Sequence, residues 1–209
     1  MKNVKKLAFI ALSIIALSCS KKEDDQPLLL PSAAFEKANN TVTAIPDCGN
    51  TNIPGSVEVP ITIDKEGIIA DGSKIYVELD LSHVYSAHIA VELITPSGDS
   101  IGLIKRLTGG YDNFLTGNKL VFNSAFTVAI PITGNQDTNI PAGNYRPSFI
   151  YNPQNEAVLP LTVIEKPMAT FFELKSIKGV WKLKVYDCTY NFSGTLNAWK
   201  IKFDTGALQ

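Results

Sequence analysis

Residues 57–64 read VEVPITID and alternate strictly between apolar and polar side chains. This period of two is typical of a β-strand with one face buried and the other face in water. The same alternation recurs in KIYVELDL (residues 74–81) and in HIAVEL (residues 88–93). Near the C-terminus it returns in WKLKV (181–185) and in WKIKF (199–203). The chain is therefore expected to consist mainly of half-buried strands.

Turn-forming clusters separate these strands. Gly, Pro, Asn and Ser are concentrated in them, and these residues end regular structure in favour of turns. The clusters are PSGD (96–99), TGG (108–110), GN (134–135), PAG (141–143) and NFSG (191–194). Many short strands with turns at such intervals predict an all-β protein, a β-sandwich.

The first 18 residues have the layout of a bacterial secretory signal. Three lysines among the first six residues precede an apolar run at residues 7–17. That run is too short for a transmembrane helix, which needs about 20 apolar residues. Residues 16–19 read ALSC and resemble the lipobox, in which the cysteine receives lipid. We therefore expect a signal peptide at residues 1–18 and a palmitate-bearing lipid on Cys19, with an ordinary secreted protein as the alternative.

Lipid on Cys19 would anchor the mature chain to a membrane, because each buried CH₂ contributes about 0.8 kcal/mol. The tract SKKEDDQ (20–26) resembles the acidic tags of surface-displayed lipoproteins. We expect a bacterial outer-membrane lipoprotein that is displayed at the cell surface. The alternative is a lipoprotein that faces the periplasm. Residues 19–45 are interpreted as the lipidated N-terminus and a flexible tether.

Charge and length limit the remaining classes of function. Removal of the first 18 residues leaves 16 basic and 20 acidic side chains, a net charge of −4. Nucleic-acid binding is not expected, because it needs a clustered basic surface. Residues 46–209 have the length of one ordinary domain that can bury its own core.

Five motifs occur in the order that a known family shows. They are HVY (83–85), IAVELITPSG (89–98), GNYRP (143–147), GVWKLKVYD (179–187) and GTLNAWKIKF (194–203). Together they resemble the P domain, also called P/Homo B, which is associated with proprotein convertases. The resemblance covers roughly residues 55–205 and implies a jelly-roll-like β-sandwich of about eight or nine strands.

In that family a P domain usually follows a subtilisin-like serine protease domain or is joined to another secreted enzyme. Residues 20–54 are too few to hold a domain that brings together an Asp, a His and a Ser. The resemblance therefore implies a non-catalytic surface module that stabilises or binds a partner, either a protein or a glycan. The alternative is an accessory domain of a subtilisin-like serine endopeptidase system. In that case the association with proteolysis belongs to the protease domain that usually precedes a P domain, and not to this chain.

Catalytic residues are not expected in this chain. Its two histidines, His83 and His88, lie five residues apart, so on one strand their side chains would point to opposite faces. Such a pair is a poor start for a general base with its orienting partner, or for a shared metal site. The chain contains no Gly-x-Ser-x-Gly motif. A structural role for His83 at the end of a strand is the favoured interpretation.

Calcium is the one cofactor that the resemblance suggests. After the His-x-Tyr motif the family typically has Gly-Asp-Leu, whereas residues 87–89 here read Ala-His-Ile. Calcium takes six to eight oxygen ligands, so the loss of a carboxylate weakens such a site without excluding it. The remaining candidate ligands are Asp80, Asp112 and Asp187. Their alternative role is that of ordinary solvent-facing or turn-forming residues.

Two cysteines remain if Cys19 carries lipid. Cys48 precedes the first predicted strand and Cys188 follows the strand at 181–185. In an oxidising compartment we expect them to form a disulfide. Neither has a second ligand two to four residues away, so a zinc knuckle is excluded.

Aromatic residues in loop-like stretches form a candidate binding surface. Tyr111, Phe114, Tyr145 and Tyr151 stand beside Gly, Asn and Pro. Aromatic rings in loops can stack on sugars or bind a protein partner. The alternative is that some of these rings fill the ends of the sandwich.

Overall fold

The computed structural model describes residues 31–49, 53–107, 109–147 and 167–209. The predicted signal peptide, Cys19 and Tyr151 lie outside these residues. The strands are β1 (Phe35–Asn39), β2 (Thr43–Ile45), β3 (Gly55–Ile63), β4 (Ile75–Ser82), β5 (Ile89–Ile94), β6 (Ser100–Ile104), β7 (Leu120–Phe122), β8 (Gly143–Tyr145), β9 (Gly179–Asp187) and β10 (Gly194–Phe203). One α-helix, α1 (Met168–Phe172), and two 3₁₀ helices, Gly72–Lys74 and Ser86–His88, complete the described elements.

The strands form two sheets, which confirms the predicted β-sandwich. One sheet has the order β1-β10-β4-β7-β8, with β2 also paired to β10, and the other has the order β3-β9-β5-β6. Along the chain, β1, β4, β7 and β10 fall in the first sheet and β3, β5, β6 and β9 in the second. This repeated crossing between two sheets is the arrangement of a jelly roll.

The period-two patterns place apolar side chains between the sheets. In β4, Ile75, Val77, Leu79 and Leu81 are buried, while the residues between them are only partly buried. The large aromatic side chains fill the centre of this layer. Trp181 lies 6.1 Å from the ring of Phe203 between ring centroids, and both side chains are fully buried. Burial of such apolar surface is the main stabilising contribution to the domain.

The first strand requires a correction of the predicted domain boundary. Residues 35–45 fall in the segment interpreted as a tether, yet they form β1 and β2, and both strands pair with β10. Phe35 stands opposite Phe203, and their rings stack 6.1 Å apart. The sequence FEKAN has three exposed residues in its middle. Because β1 is an edge strand, its sequence lacks the alternation that revealed the other strands.

The two ends of the sandwich differ in how they are closed. At one end α1 packs so tightly on Gly72 that a Cβ there would lie 2.0 Å from the carbonyl oxygen of Ala169. At the other end β4 and β9 finish and β3, β5 and β10 begin, as shown by the pairing of Asp187 with Gly55 and Ile89. We call this second end the histidine end, after His83 and His88. Within the described residues, no helix is long and apolar enough to cross a membrane.

Candidate functional site: the histidine end

His83 follows β4 directly and is held there by its backbone. It exchanges two backbone hydrogen bonds with Phe114, of 3.0 Å and 2.8 Å. Its side chain is fully buried against the start of β10. A Cβ on Gly194 would lie 2.4 Å from the carbonyl oxygen of Ser82 and 2.8 Å from Cδ2 of His83. The first residue of β10 must therefore be glycine for the imidazole to occupy this position.

Both ring nitrogens of His83 have partners. Nδ1 lies 3.0 Å from the backbone nitrogen of Tyr85, which donates to it, and 2.9 Å from the carbonyl oxygen of the same residue. Nε2 lies 3.2 Å from Oδ2 of Asp187 and 3.2 Å from the carbonyl oxygen of Phe192. Because a backbone N–H can only donate, its bond to Nδ1 leaves the ring proton on Nε2, which then donates to Asp187.

His88 lies beside His83, which corrects the expectation that the two side chains diverge. They do not share a strand, because the 3₁₀ helix Ser86–His88 reverses the chain between β4 and β5. Their ring centroids are 5.3 Å apart. Nδ1 of His88 lies 3.9 Å from Oδ1 of Asp187, and this buried nitrogen has no hydrogen-bond partner. Burial and the neighbouring His83 lower the pKa of His88, and Asp187 opposes them.

Asp187 is the member of the predicted calcium set that belongs to this cluster. It ends β9, is completely buried, and also accepts a hydrogen bond of 3.2 Å from the backbone of Thr189. The structure does not bring Asp80 and Asp112 to it. Among the described residues, His83, His88 and Asp187 are the one group of His, Cys, Asp and Glu side chains whose ligand atoms converge, within 4.8 Å of one another.

Asp80 and Asp112 have structural partners instead. Asp80 accepts hydrogen bonds of 3.0 Å from the backbone of Gly117 and 3.1 Å from the amide of Asn197. Asp112 is buried and accepts from the backbone and hydroxyl of Thr133 and from the backbone of Gly134. Burial raises the pKa of Asp112, but these hydrogen bonds outweigh it and the net pKa is lowered. Both residues therefore hold loops in place, as turn-forming aspartates do.

The two predicted disulfide partners, Cys48 and Cys188, are free thiols in the structure. Both are buried, and Sγ of Cys48 donates toward the carbonyl oxygen of Ile53 at 3.2 Å. The backbone nitrogen of Cys188 donates to the carbonyl oxygen of His88 at 2.8 Å, which ties β9 to the histidine end. Burial raises the pKa of Cys188 to about 12, so its thiol stays protonated and unreactive at neutral pH.

The predicted aromatic binding loop is divided by the structure. Tyr111 is 52% exposed, as a binding residue should be. Phe114 and Tyr145 are buried, because Phe114 bridges to His83 and Tyr145 pairs with Phe122 in the parallel strands β7 and β8. The hydroxyl of Tyr145 donates to the carbonyl oxygen of Pro141 at 2.8 Å. These two rings are core residues and not binding residues.

Two rings that the sequence did not single out extend the aromatic surface from Tyr111: Tyr85, which is half-buried, and Phe192. Tyr85 contacts Tyr111 edge-on at 5.9 Å and Phe192 at 4.9 Å between ring centroids. Phe192 is 50% exposed, and Val84 and Leu115 line a cleft of about 290 Å³ that is also lined by His83 and Ser193. We call Val84, Tyr85, Tyr111, Leu115 and Phe192 the apolar patch. A phenylalanine inside the turn cluster NFSG was a usable signal, because turns otherwise favour small polar residues.

Comparison with known proteins gives a limited set of similarities. No protein-family model matches this chain, and no curated protein matches its sequence. The fold is similar to part of the serine protease of Aeromonas sobria, with 17% identity and a TM-score of 0.44 over 86% of this chain and 28% of the protease. The complex of that protease with its chaperone ORF2 matches with 15% identity and a TM-score of 0.40, over 82% of this chain and 27% of that one. This chain thus spans little more than a quarter of either matched chain.

Proposed function

We propose that this chain is a non-catalytic binding module, held at the bacterial outer membrane by lipid on Cys19, that binds a protein partner through the apolar patch. The observation that carries the proposal is the exposure of Tyr111 and Phe192, both in ring contact with Tyr85, together with exposed Val84 and Leu115 at the same end of the sandwich. Contiguous exposed apolar surface with aromatic residues at its centre is typical of a protein interaction site.

The composition of the patch favours a protein over a glycan. Val84 and Leu115 are aliphatic, 44% and 46% exposed, and cannot stack on a sugar ring as an aromatic side chain can. The three aromatic rings of the patch pack edge to face, so little side-chain entropy is lost when a partner covers them. Such preordered aromatic residues are the usual high-energy contacts of protein interfaces.

The environment of His83 supports a non-catalytic role. Its side chain is inaccessible to solvent, and both ring nitrogens are occupied by Tyr85, Asp187 and Phe192. A general base must have a nitrogen within hydrogen-bond reach of the proton that it removes from a substrate or a nucleophile. The His83–Asp187 pair has the same residue types as a catalytic base and the acid that orients it. Both side chains, however, are buried and cannot reach a substrate.

Photo-crosslinking in cells tests the binding surface. Benzoylphenylalanine at position 192 should give a crosslinked protein product of defined mass, because the ring would lie inside the interface. The matched control is the same probe at Val180, which is 43% exposed on the same domain near the start of β9, away from the histidine end. Equal products from both positions, or none from position 192, would contradict the proposal. Glycan binding by the purified chain that is lost in Phe192→Ala would replace the protein partner with a glycan.

Radioactive palmitate labelling tests the membrane anchor. The wild-type chain should incorporate label and fractionate with the outer membrane, whereas Cys19→Ala should do neither, because no other thiol follows a lipobox-like sequence. Digestion of intact cells with an added protease then distinguishes display at the cell surface from the periplasmic face. Label that persists in Cys19→Ala would remove the anchor from the proposal.

A further inference from the structure

The histidine end carries a second feature beneath the apolar patch, the convergence of His83, His88 and Asp187. Their ligand atoms all lie within 4.8 Å of one another, and all three side chains are buried or nearly so. We propose that these three residues bind a divalent transition-metal ion of the zinc class and that the ion holds the loop at 83–88 against the end of β9. This inference does not depend on the identity of the partner that covers the patch.

The donor set decides the class of ion. Two imidazole nitrogens and one carboxylate suit zinc and its neighbours among the transition metals. Calcium takes six to eight oxygen ligands, and one carboxylate with two imidazoles cannot supply them. The site therefore differs in chemistry from a calcium site built on Asp80, Asp112 and Asp187.

The distances are close to those of a tetrahedral site. With metal–ligand bonds of about 2.0–2.1 Å, neighbouring ligand atoms stand about 3.4 Å apart. Oδ2 of Asp187 and Nε2 of His83 are separated by 3.2 Å, and Oδ1 of Asp187 and Nδ1 of His88 by 3.9 Å. These two distances involve different oxygens of Asp187, so the His88 ring must move closer for one ion to reach all three residues. His88 is the member able to move, because its side chain is 14% exposed while the others are fully buried.

The backbone of Tyr85 offers the hydrogen-bond acceptor that a metal-bound histidine requires on its other ring nitrogen. For Nε2 of His83 to bind a metal ion, the ring proton must sit on Nδ1 and be donated to an acceptor. The carbonyl oxygen of Tyr85 lies 2.9 Å from Nδ1 and is such an acceptor. The change to the metal-binding tautomer gives up the hydrogen bond from the Tyr85 N–H to Nδ1, which is 3.0 Å long, and leaves the carbonyl oxygen of Tyr85 as the partner of Nδ1.

The unpaired nitrogen of His88 is the second observation that points to a ligand. A buried polar atom without a partner is destabilising, and such atoms are rare in folded proteins. Nδ1 of His88 is buried without a hydrogen-bond partner and lies on the Asp187 side of the ring. Coordination to a metal ion would satisfy it.

The loop after β9 supplies a candidate for the fourth ligand position. The carbonyl oxygen of Phe192 lies 3.2 Å from Nε2 of His83. Asn191 and Phe192 have φ of 62° and 89°, a backbone conformation that non-glycine residues seldom adopt. This conformation directs the carbonyl oxygen at the cluster. With its ligands so deeply buried, the ion would be structural and would order the loop that presents Phe192.

Metal titration of the full-length chain, purified in detergent and stripped with a chelator, tests the site. Zinc should bind with a stoichiometry of one per chain and raise the melting temperature by roughly 5–10 °C at about 100 times the dissociation constant. Cobalt(II) should give the visible absorption of a tetrahedral site. Magnesium and calcium at the same concentrations should leave the melting temperature unchanged.

Two variants separate a metal site from a hydrogen-bonded cluster. His88→Phe keeps the ring packing but removes the ligand atom, so it should abolish the zinc shift and the cobalt spectrum while the metal-free protein stays folded. Asp112→Asn, which alters a buried carboxylate outside the cluster, should lower the melting temperature but retain both metal responses. No zinc binding by the wild type, or equal zinc binding by His88→Phe, would overturn the proposal. Crosslinking from position 192 is scored separately, so failure of one proposal is distinguishable from failure of the other.

Discussion

Nε2 of His83 lies 3.2 Å from Oδ2 of Asp187, and neither side chain is accessible to solvent. His83 follows β4 of the six-stranded sheet, and Asp187 ends β9 of the four-stranded sheet. The hydrogen bond therefore joins the two layers of the sandwich at the histidine end. Few polar contacts in a β-sandwich cross between sheets, because the space between them is filled by apolar side chains.

Removal of this bond should destabilise the domain strongly. His83→Phe leaves a carboxylate buried without its partner, and the free energy of unfolding should fall by about 3–5 kcal/mol in urea denaturation. Lys119→Ala, which removes an exposed partner of Glu78, is the control and should change the free energy of unfolding far less. Similar losses in both variants would contradict a special role for the buried pair.

Gly194→Ala tests the close packing of β10 on the site. The added Cβ would lie 2.4 Å from the carbonyl oxygen of Ser82, so the strand must shift and displace the His83 ring. We expect a loss of about 1–3 kcal/mol in the free energy of unfolding. Gly117→Ala is a useful contrast, because nothing lies within 4 Å of its added Cβ and only its φ of 88° opposes the substitution. Chemical shifts of the His83 ring should move in Gly194→Ala and not in Gly117→Ala.

Asp112 should contribute stability that depends on pH. Its folded pKa is lowered from 3.8, so the contribution is fully present above that value and is lost as the pH falls through the folded pKa. The difference in free energy of unfolding between wild type and Asp112→Asn should therefore be largest at neutral pH and shrink below about pH 4. If this difference in free energy of unfolding is constant from pH 3 to pH 7, the charge on the Asp112 carboxylate does not stabilise the fold.

Cys48 and Cys188 should both be alkylated without reduction once the chain is unfolded. In Cys19→Ala, urea and a maleimide should add two labels per chain, as measured by mass spectrometry. The folded protein should react slowly, because both thiols are buried and burial raises the pKa of each. Unfolded, unreduced protein that takes up no label would instead show a disulfide.

The full-length chain should have no hydrolytic activity of its own. Casein, fluorogenic peptides and polysaccharides should remain uncleaved at high protein concentration, with and without calcium or zinc, since the His83 ring is closed off from solvent. Turnover that survives repurification and is lost in His83→Phe, with folding confirmed by circular dichroism, would make the chain an enzyme.

Local alternation was enough to predict β3, β4, β5, β9 and β10, because one face of each of these strands is buried and the other is wet. The same reasoning missed β1, an edge strand whose three central residues are all exposed. The alternation within a strand also could not predict which loop residues become buried when distant segments pair. Phe114 and Tyr111 have similar neighbours in the sequence, and the bridge to His83 buries the first while the second stays exposed.

The amino-acid sequence by itself determined the two-layer β architecture, since the period of apolar residues is a local property of each strand. The sequence also singled out His83, His88 and Asp187, the three polar residues of the histidine end. Only the tertiary structure decided that His83 and His88 converge, because the 3₁₀ helix Ser86–His88 reverses the chain between β4 and β5. Asp187 lies 104 residues from His83 along the chain and reaches it only through the crossing of two sheets. No local pattern encodes such a contact, because it depends on the strand order and register of the whole sandwich.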